Sequence, residues 1–80
     1  MDEYLAQLDA IRRSNLRVLA RCRGGQAPLA RDLGFTPPVL AQMLGPKARR
    51  RPTETFCRRV EGRLSLPFGW LDIPRASTQG

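Results

Sequence analysis

Histidine is absent from this sequence, and cysteine occurs at only two positions, Cys22 and Cys57. The two cysteines are far apart and form no Cys-x-x-Cys pair, so the usual zinc ligands are missing or badly spaced. We therefore expect no metal site and no cofactor. Both cysteines fall on predicted helices, where reduced, half-buried thiols are the simplest interpretation and a disulfide is the alternative.

Further absences argue against an enzyme and against a membrane protein. The chain has no paired carboxylates, no nucleophile beside a base and no glycine-rich loop followed by lysine, so we expect no catalytic activity. No apolar run is long enough to span a membrane. The chain does not open with a basic segment followed by an apolar one, which predicts a cytoplasmic protein.

Acidic residues are scarce relative to arginine, and the net charge is +7 with a pI of about 11.3. A small basic chain favours polyanionic partners, with nucleic acid first and an anionic membrane surface second. The charge is uneven, because residues 12–23 carry several arginines and no acid, and residues 47–63 carry a second excess. This distribution favours a protein whose flanks hold phosphates while its nearly neutral centre meets bases.

Residues 26–44 are predicted to form two short helices joined by a sharp turn. Gly34 stands where the chain must reverse, and it tolerates the positive φ that closes a helix. Thr36 suits a helix N-cap, and Pro37 suits the first helical position because its missing N–H is not needed there. Gln26 lies in the first turn of the earlier helix, where free N–H groups and the helix dipole favour a phosphate contact.

This stretch resembles the helix-turn-helix of the phage-repressor and Cro class of proteins, which is also called XRE-like. The pattern of that class is Gln-x-x-Leu-Ala-x-x-x-Gly-x-Ser/Thr-x-x-x-Leu-x-x-Leu/Ile. The matching residues are Gln26, Leu29, Ala30, Gly34, Thr36, Leu40 and Met43. Residues 56–72 also resemble the closing segment of some members, and the similarity covers about residues 11–73. The alternative for residues 26–44 is an ordinary helical hairpin that binds nothing.

The resemblance implies that the helix over residues 37–44 enters the major groove of DNA. It places the base-facing positions at Thr36, Pro37, Pro38, Val39 and Gln42, with Ala41 nearby. Gln42 is the one long polar side chain among them, and we expect it to pair with adenine. The two prolines and Val39 offer only apolar contact, for example to thymine methyl groups, so that DNA shape carries more of the specificity.

Residues 45–52 are predicted to form a loop, because they include one glycine and two prolines. The loop carries four cations directly after the candidate reading helix, and we interpret it as a phosphate clamp. With Gln26, the predicted phosphate contacts are Lys47, Arg49, Arg50 and Arg51. A loop that only keeps the protein soluble is the alternative.

The remaining sequence predicts further helices around this pair. One covers residues 11–22, and residues 1–10 either continue it or form a separate turn. Another begins after a Thr53 N-cap and ends near Ser65, with Arg58 and Glu61 facing water. A short closing turn then brings Trp70 and Leu71 into the core.

The predicted fold is an all-α, lambda-repressor-like domain of five short helices. Its parts are an N-terminal helical extension (1–10), the helix-turn-helix DNA-binding domain (11–73) and a flexible tail (74–80), which is alternatively the start of a linker that was cut off. The predicted core residues are Leu16, Leu19, Leu29, Leu33, Phe35, Leu40, Met43, Phe56, Val60, Leu64 and Trp70.

The first functional hypothesis is a sequence-specific, double-stranded DNA-binding transcriptional regulator. It would act as a repressor and as a homodimer on a near-palindromic operator. The second is a protein-interaction module, an antitoxin or adaptor that uses the fold to bind a protein partner. A third is a nucleoid-type protein that coats DNA without sequence preference. Two surfaces are candidates for the dimer contact, one formed by Tyr4, Leu5 and Leu8 and one by Phe68, Trp70 and Ile73.

Overall fold

The structure is built from helices. The computed structural model describes residues 3–44 and 50–75. Its elements are α1 (Glu3–Cys22), α2 (Gln26–Leu33), α3 (Pro37–Leu44), α4 (Glu54–Arg63) and a 3₁₀ turn (Trp70–Asp72). These ranges contain no strand, so the all-α prediction is confirmed, with four α-helices where five short helices were expected. None of the helices in this part of the chain is long and apolar enough to cross a membrane.

The first helix is the longest element and the one around which the others pack. α1 has 20 residues and continues without a break from Glu3, so residues 3–10 extend the first helix and do not form a separate turn. It contacts α2, α3 and the 3₁₀ turn. α2 in turn packs on α3 and α4, and α4 packs on the 3₁₀ turn. α2 and α3 therefore pack on α1 and on each other.

Backbone geometry ends α2 as the sequence predicts. Gly34 adopts the left-handed conformation, with φ 80° and ψ 21°. Its N–H donates to the Arg31 carbonyl over 3.2 Å, and the Phe35 N–H donates to the Ala30 carbonyl over 2.9 Å. This pair of bonds is a Schellman motif, which satisfies carbonyls that the last helical turn leaves free. The chain therefore needs only residues 34–36 before α3 begins at Pro37.

The two ends of α4 are also fixed locally. At the start, the Thr53 hydroxyl accepts a hydrogen bond from the Phe56 N–H over 3.3 Å, so the predicted N-cap is confirmed. At the end, Ser65 has a φ of 58°, which is uncommon for a residue that carries a Cβ. The next N–H, from Leu66, donates to the Glu61 carbonyl over 2.8 Å. The helix thus closes with a Schellman-type turn without a glycine.

The apolar core lies where the four helices meet the 3₁₀ turn. Its buried side chains are Leu16, Leu19, Ala20, Leu29, Ala30, Leu33, Leu40, Met43, Leu44, Cys57, Val60 and Leu71. The predicted core residues either belong to this set or pack half-buried against it, as Phe35, Phe56, Leu64 and Trp70 do. In the closing turn, Leu71 is the fully buried residue and its neighbour Trp70 covers the edge.

Beside this core lies a polar cluster formed by Arg12, Asn15, Arg58, Glu61 and Asp72. Glu61 is 2% exposed and accepts hydrogen bonds from the N–H groups of Gly69 (3.0 Å) and Leu71 (2.9 Å). Arg58 is half-buried, with Nε 3.0 Å from Glu61 and Nη2 3.0 Å from Asp72. The prediction that Arg58 and Glu61 face water is therefore wrong. The segment after α4 folds back over the helix and brings its N–H groups to the carboxylate.

Arg12 and Asn15 connect α1 with the same cluster. Arg12 is 5% exposed, and its Nε donates to Asp72 Oδ1 over 2.8 Å. The Asn15 amide donates to the carbonyls of Leu71 and Ile73 over 2.9 and 2.8 Å. The hydrogen bond from Arg12 holds the pKa of Asp72 below its ordinary value, although partial burial acts in the opposite direction. These bonds attach the 3₁₀ turn to α1.

The two cysteines occupy different surroundings. Both thiols are free, as predicted, but Cys22 is exposed and Cys57 is buried, so neither is half-buried. Burial raises the pKa of the Cys57 thiol to about 11. Because the thiolate is the reactive form, Cys57 serves as a small apolar core residue at neutral pH.

Candidate nucleic-acid interface

α3 buries one face and presents the other to solvent. The inward side chains are Leu40, Met43 and Leu44. The exposed side chains are Pro37, Pro38, Ala41 and Gln42. Because an α-helix has 3.6 residues per turn, positions 37, 38, 41 and 42 lie on the same side of it. Most predicted base-facing residues therefore lie on one open face, while Thr36 precedes the helix as an exposed residue and Val39 is half-buried.

Two arginines of α1 hold the C-terminal end of α3. Arg13 Nε donates to the Met43 carbonyl over 3.2 Å, and Arg17 Nη2 donates to the Leu44 carbonyl over 2.9 Å. The last carbonyls of a helix have no intrahelical partner and carry partial negative charge, so cations stabilise them. The sequence places both arginines in a phosphate-holding flank. Their four-residue spacing, which puts them on one face of α1, is the signal for a shared target.

Gln42 and Arg50 are joined through their side chains. Arg50 Nε donates to Gln42 Oε1 over 2.7 Å, and both residues are exposed. The backbone N–H of Arg50 also donates to the Gln42 carbonyl over 3.3 Å. A predicted base-reading residue and a predicted phosphate contact therefore lie together at the C-terminal half of α3.

Arg51 has a different partner from Arg50. Its Nε lies 2.8 Å and its Nη2 3.4 Å from the two carboxylate oxygens of Asp9, and its side chain is 54% exposed. This contact connects the segment before α4 with α1. Lys47 and Arg49, the other two residues of the predicted clamp, lie outside the described residues. Of the two that are described, Arg50 is the one bonded to α3.

A groove of about 310 Å³ lies between α3 and the first turns of α4. Aromatic rings form part of its wall, since Phe35 and Phe56 stack with their centroids 5.3 Å apart. The guanidinium of Arg59 lies over the Phe35 ring at 5.3 Å from its centroid. Three arginines and no acid line the groove: Arg50, Arg51 and Arg59. Arg59 was not predicted, although its position three residues after Phe56 places both on one face of α4.

Gln26 is the first residue of α2 and is exposed. The preceding residue, Gly25, is the N-cap and makes no side-chain cap hydrogen bond. The first turn of α2 therefore receives no acceptor from its cap, a situation that favours an anion. The phosphate contact of Gln26 stays a prediction.

The described chain is thus a small all-helical domain in which two eight-residue helices are joined by three residues. It is similar to the prophage repressor CohE of Escherichia coli (strain K12), with 32% identity over 68 residues. The match covers 85% of this chain and 30% of that protein, so the chain spans less than a third of the length of the curated relative. This distant similarity supports a phage-repressor-like family. No family model matches the chain, and no solved structure matches it.

Proposed function

We propose that this chain is a sequence-specific, double-stranded DNA-binding regulator and that α3 enters the major groove. The observation that carries the proposal is the open face of α3, which has no acidic side chain and has Arg50 bonded beside it. The neighbouring groove adds Arg59, and Arg51 lines the same groove although it is paired with Asp9. An α-helix fits the major groove, and cations beside it meet the phosphates at the groove edges. The net charge of +7 favours the same partner.

The proposed class is an XRE-like, Cro-type helix-turn-helix protein with a lambda-repressor-like fold, and the proposed role is that of a cytoplasmic repressor. Three observations support it. Residues 26–43 follow the pattern of that class, with Met43 at the final position, where the pattern has Leu or Ile. The α2–α3 pair has the short turn with left-handed Gly34 that the pattern requires. The relative that matches is itself named a prophage repressor.

Base contacts are proposed for the open face of α3. Pro37 and Pro38 offer apolar contact to thymine methyl groups, and Gln42 with Arg50 supplies the hydrogen bonds. The half-buried Val39 contributes less. Because few polar groups reach the bases, the proposal assigns part of the specificity to the shape and deformability of DNA.

A homodimer on a near-palindromic operator is proposed because one domain carries one reading helix. The longest extent of the molecule is 33 Å. Neighbouring half-sites on one side of DNA are separated by about 34 Å, one helical turn. Two copies related by a two-fold axis therefore suit the spacing of two reading helices.

The proposed dimer contact joins the first candidate surface with Phe68 of the second. Tyr4 and Phe68 are 72% and 80% exposed, and both line one groove together with Leu5 and Leu8. The same groove is also lined by carboxylates, at Glu54 and Asp72, and by guanidinium groups, among them those of Arg51 and Arg58. A patch with apolar side chains and mixed charge is able to pair with its own copy, as an isologous interface requires.

Selection of bound duplexes from a random pool at moderate salt, followed by sequencing, tests the DNA-binding proposal. We expect an enriched near-palindrome with half-sites about one helical turn apart. Binding that falls steeply with salt but enriches no sequence would indicate a DNA-coating protein instead. Absence of duplex binding, together with tight binding to a protein partner, would favour the antitoxin or adaptor hypothesis.

Sedimentation velocity of Phe68→Asp tests the dimer contact. Replacing this exposed aromatic side chain by a carboxylate removes apolar contact area and should shift the protein to monomer while leaving its helical content unchanged. Ile73→Asp is the matched control, because Ile73 is 54% exposed and does not line that groove. A wild-type protein that is monomeric both free and on its operator would contradict the dimer.

A further inference from the structure

We infer that Gln42 and Arg50 form one base-reading unit that selects guanine, an inference that rests on the proposed DNA-binding function. The sequence alone leads to a different expectation, in which Gln42 pairs with adenine. The difference comes from Arg50, whose Nε donates to Gln42 Oε1 over 2.7 Å on the exposed side of α3. The unit joins a residue of the reading helix to one that follows eight positions later.

The bond determines which atoms Gln42 offers to a base. A guanidinium group contains only donors, so its partner on Gln42 must be the amide oxygen and not the amide nitrogen. The NH₂ group of Gln42 therefore remains available, as do the terminal nitrogens of Arg50, for which the described residues provide no acceptor. Together the two side chains present a surface of donors.

Guanine matches this surface better than adenine does. In the major groove, guanine presents two acceptors, N7 and O6, whereas adenine presents the acceptor N7 and the donor N6 amino group. A glutamine that reads adenine needs its amide oxygen for the amino group. That oxygen keeps a second lone pair, but the positive guanidinium of Arg50 beside it repels the amino group of adenine and attracts O6 of guanine.

Backbone contacts hold Arg50 beside Gln42, which matters because an isolated exposed contact is weak. The Arg50 N–H donates to the Gln42 carbonyl over 3.3 Å. Arg13 Nη2 donates to the Arg50 carbonyl over 3.4 Å, while Nε of the same side chain donates to the Met43 carbonyl over 3.2 Å. Arg13 thus ties the backbone of Arg50 to the end of α3, so that the side-chain contact starts from a fixed backbone.

The first experiment needs no DNA and tests the pair itself. We expect the Nε–H proton of Arg50 to exchange with water more slowly in NMR spectra than that of Arg21, which is exposed and has no partner among the described residues. Gln42→Leu should raise the exchange rate of Arg50 toward that of Arg21. Equal rates for Arg50 and Arg21 in the wild-type protein would overturn the unit.

The second experiment measures binding to operators with each base in turn at the position where Gln42→Ala loses discrimination. The wild-type protein should prefer guanine over adenine by about tenfold, within the range for one good base contact. Arg50→Ala frees the amide oxygen and should move the preference toward adenine. Arg59→Ala is the control, because it removes an arginine of the neighbouring groove and should weaken binding to all four operators alike.

Each contrary result has a separate meaning. A wild-type preference for adenine at that position overturns the guanine unit and leaves the DNA-binding proposal intact. A guanine preference that Arg50→Ala leaves unchanged overturns the role of Arg50, because Gln42 then reads the base without it. A random pool that yields no enriched sequence overturns the proposed function, and the guanine preference with it.

Discussion

Two regions of the molecule use arginine in opposite ways. Around the 3₁₀ turn, Arg12 and Arg58 are withdrawn from solvent and bond to the carboxylates of the polar cluster. Beside α3, Arg50 and Arg59 are exposed and contact an amide oxygen and an aromatic ring, neither of which neutralises their charge. The first region stabilises the fold, and the second keeps positive charge available to a partner.

This comparison shows that the net charge of the chain does not give the number of cations available to DNA. Residues 12–23 look from the sequence like a phosphate-holding flank. In the structure, Arg13 and Arg17 bond to the end of α3, and Arg23 pairs with Asp32 over 2.7 Å. In this segment Arg21 is the arginine for which the described residues provide no partner. The same side chain that suits phosphate also suits helix carbonyls and buried carboxylates, so sequence position alone does not separate these uses.

The largest effect is expected from breaking the polar cluster. Arg12→Leu removes one of the two cations that contact Asp72 and leaves Arg58 as the other, which should lower the free energy of unfolding by about 2–3 kcal/mol. Urea unfolding measures the change. Arg21→Leu, a substitution on the exposed side of the same helix, should stay within about 0.5 kcal/mol of wild type. A loss for Arg12→Leu no larger than for Arg21→Leu would show that the cluster does not stabilise the fold.

Where α2 packs on the other helices, stability should depend on apolar packing. Ala30 lies on α2 and is fully buried. Ala30→Leu should therefore lower the free energy of unfolding by about 1–3 kcal/mol through overpacking. Ala27→Leu, on the exposed side of α2, is the control and should change little. Thermal unfolding of both variants gives the comparison. Unchanged stability of Ala30→Leu would mean that the helices around this residue are loosely packed.

Acid should weaken the region around the 3₁₀ turn because of Asp72. Its pKa is lowered in the folded state by Arg12, so below the unfolded value of about 3.9 the unfolded chain binds more protons. The stability contributed by Asp72 is therefore present above about pH 4 and is lost as the pH falls further. Asp72→Asn should be less stable than wild type at pH 7, and the difference should shrink as the pH falls below 4. Urea unfolding of both proteins over this pH range measures the difference, and a difference that does not change with pH would show that the charge of Asp72 does not stabilise the fold.

The smallest effect concerns the salt dependence of DNA binding. Replacing Arg59, which lines the groove beside α3, by Gln should reduce the slope of log K against log salt by about 0.9, the value for one phosphate contact. Arg23→Gln should leave the slope nearly unchanged, because Arg23 is already paired with Asp32. Titrations of a random duplex at several salt concentrations measure both. Equal slopes for the two variants would remove Arg59 from the interface.

Local chemistry made much of the fold predictable. Gly34 predicts the end of α2 because a residue without a Cβ adopts the left-handed conformation at little cost. Thr53 predicts the start of α4 because its hydroxyl satisfies a free N–H. Pro37 predicts the start of α3 because the N–H that proline lacks is not needed in the first turn of a helix. The spacing of leucines identifies the buried faces. Each of these signals acts over four residues or fewer, so the chain itself contains it.

The polar contacts were decided by the tertiary structure. Glu61 looks like a surface residue on an amphipathic helix, and it is buried because residues 66–72 fold back and supply two N–H donors. Gln42 looks like a free base reader, but its side chain is bonded to Arg50 because the backbone of Arg50 lies beside α3. Apolar burial repeats with the helical period and is visible in sequence, whereas a hydrogen bond between residues distant in the chain depends on how the helices are placed in space.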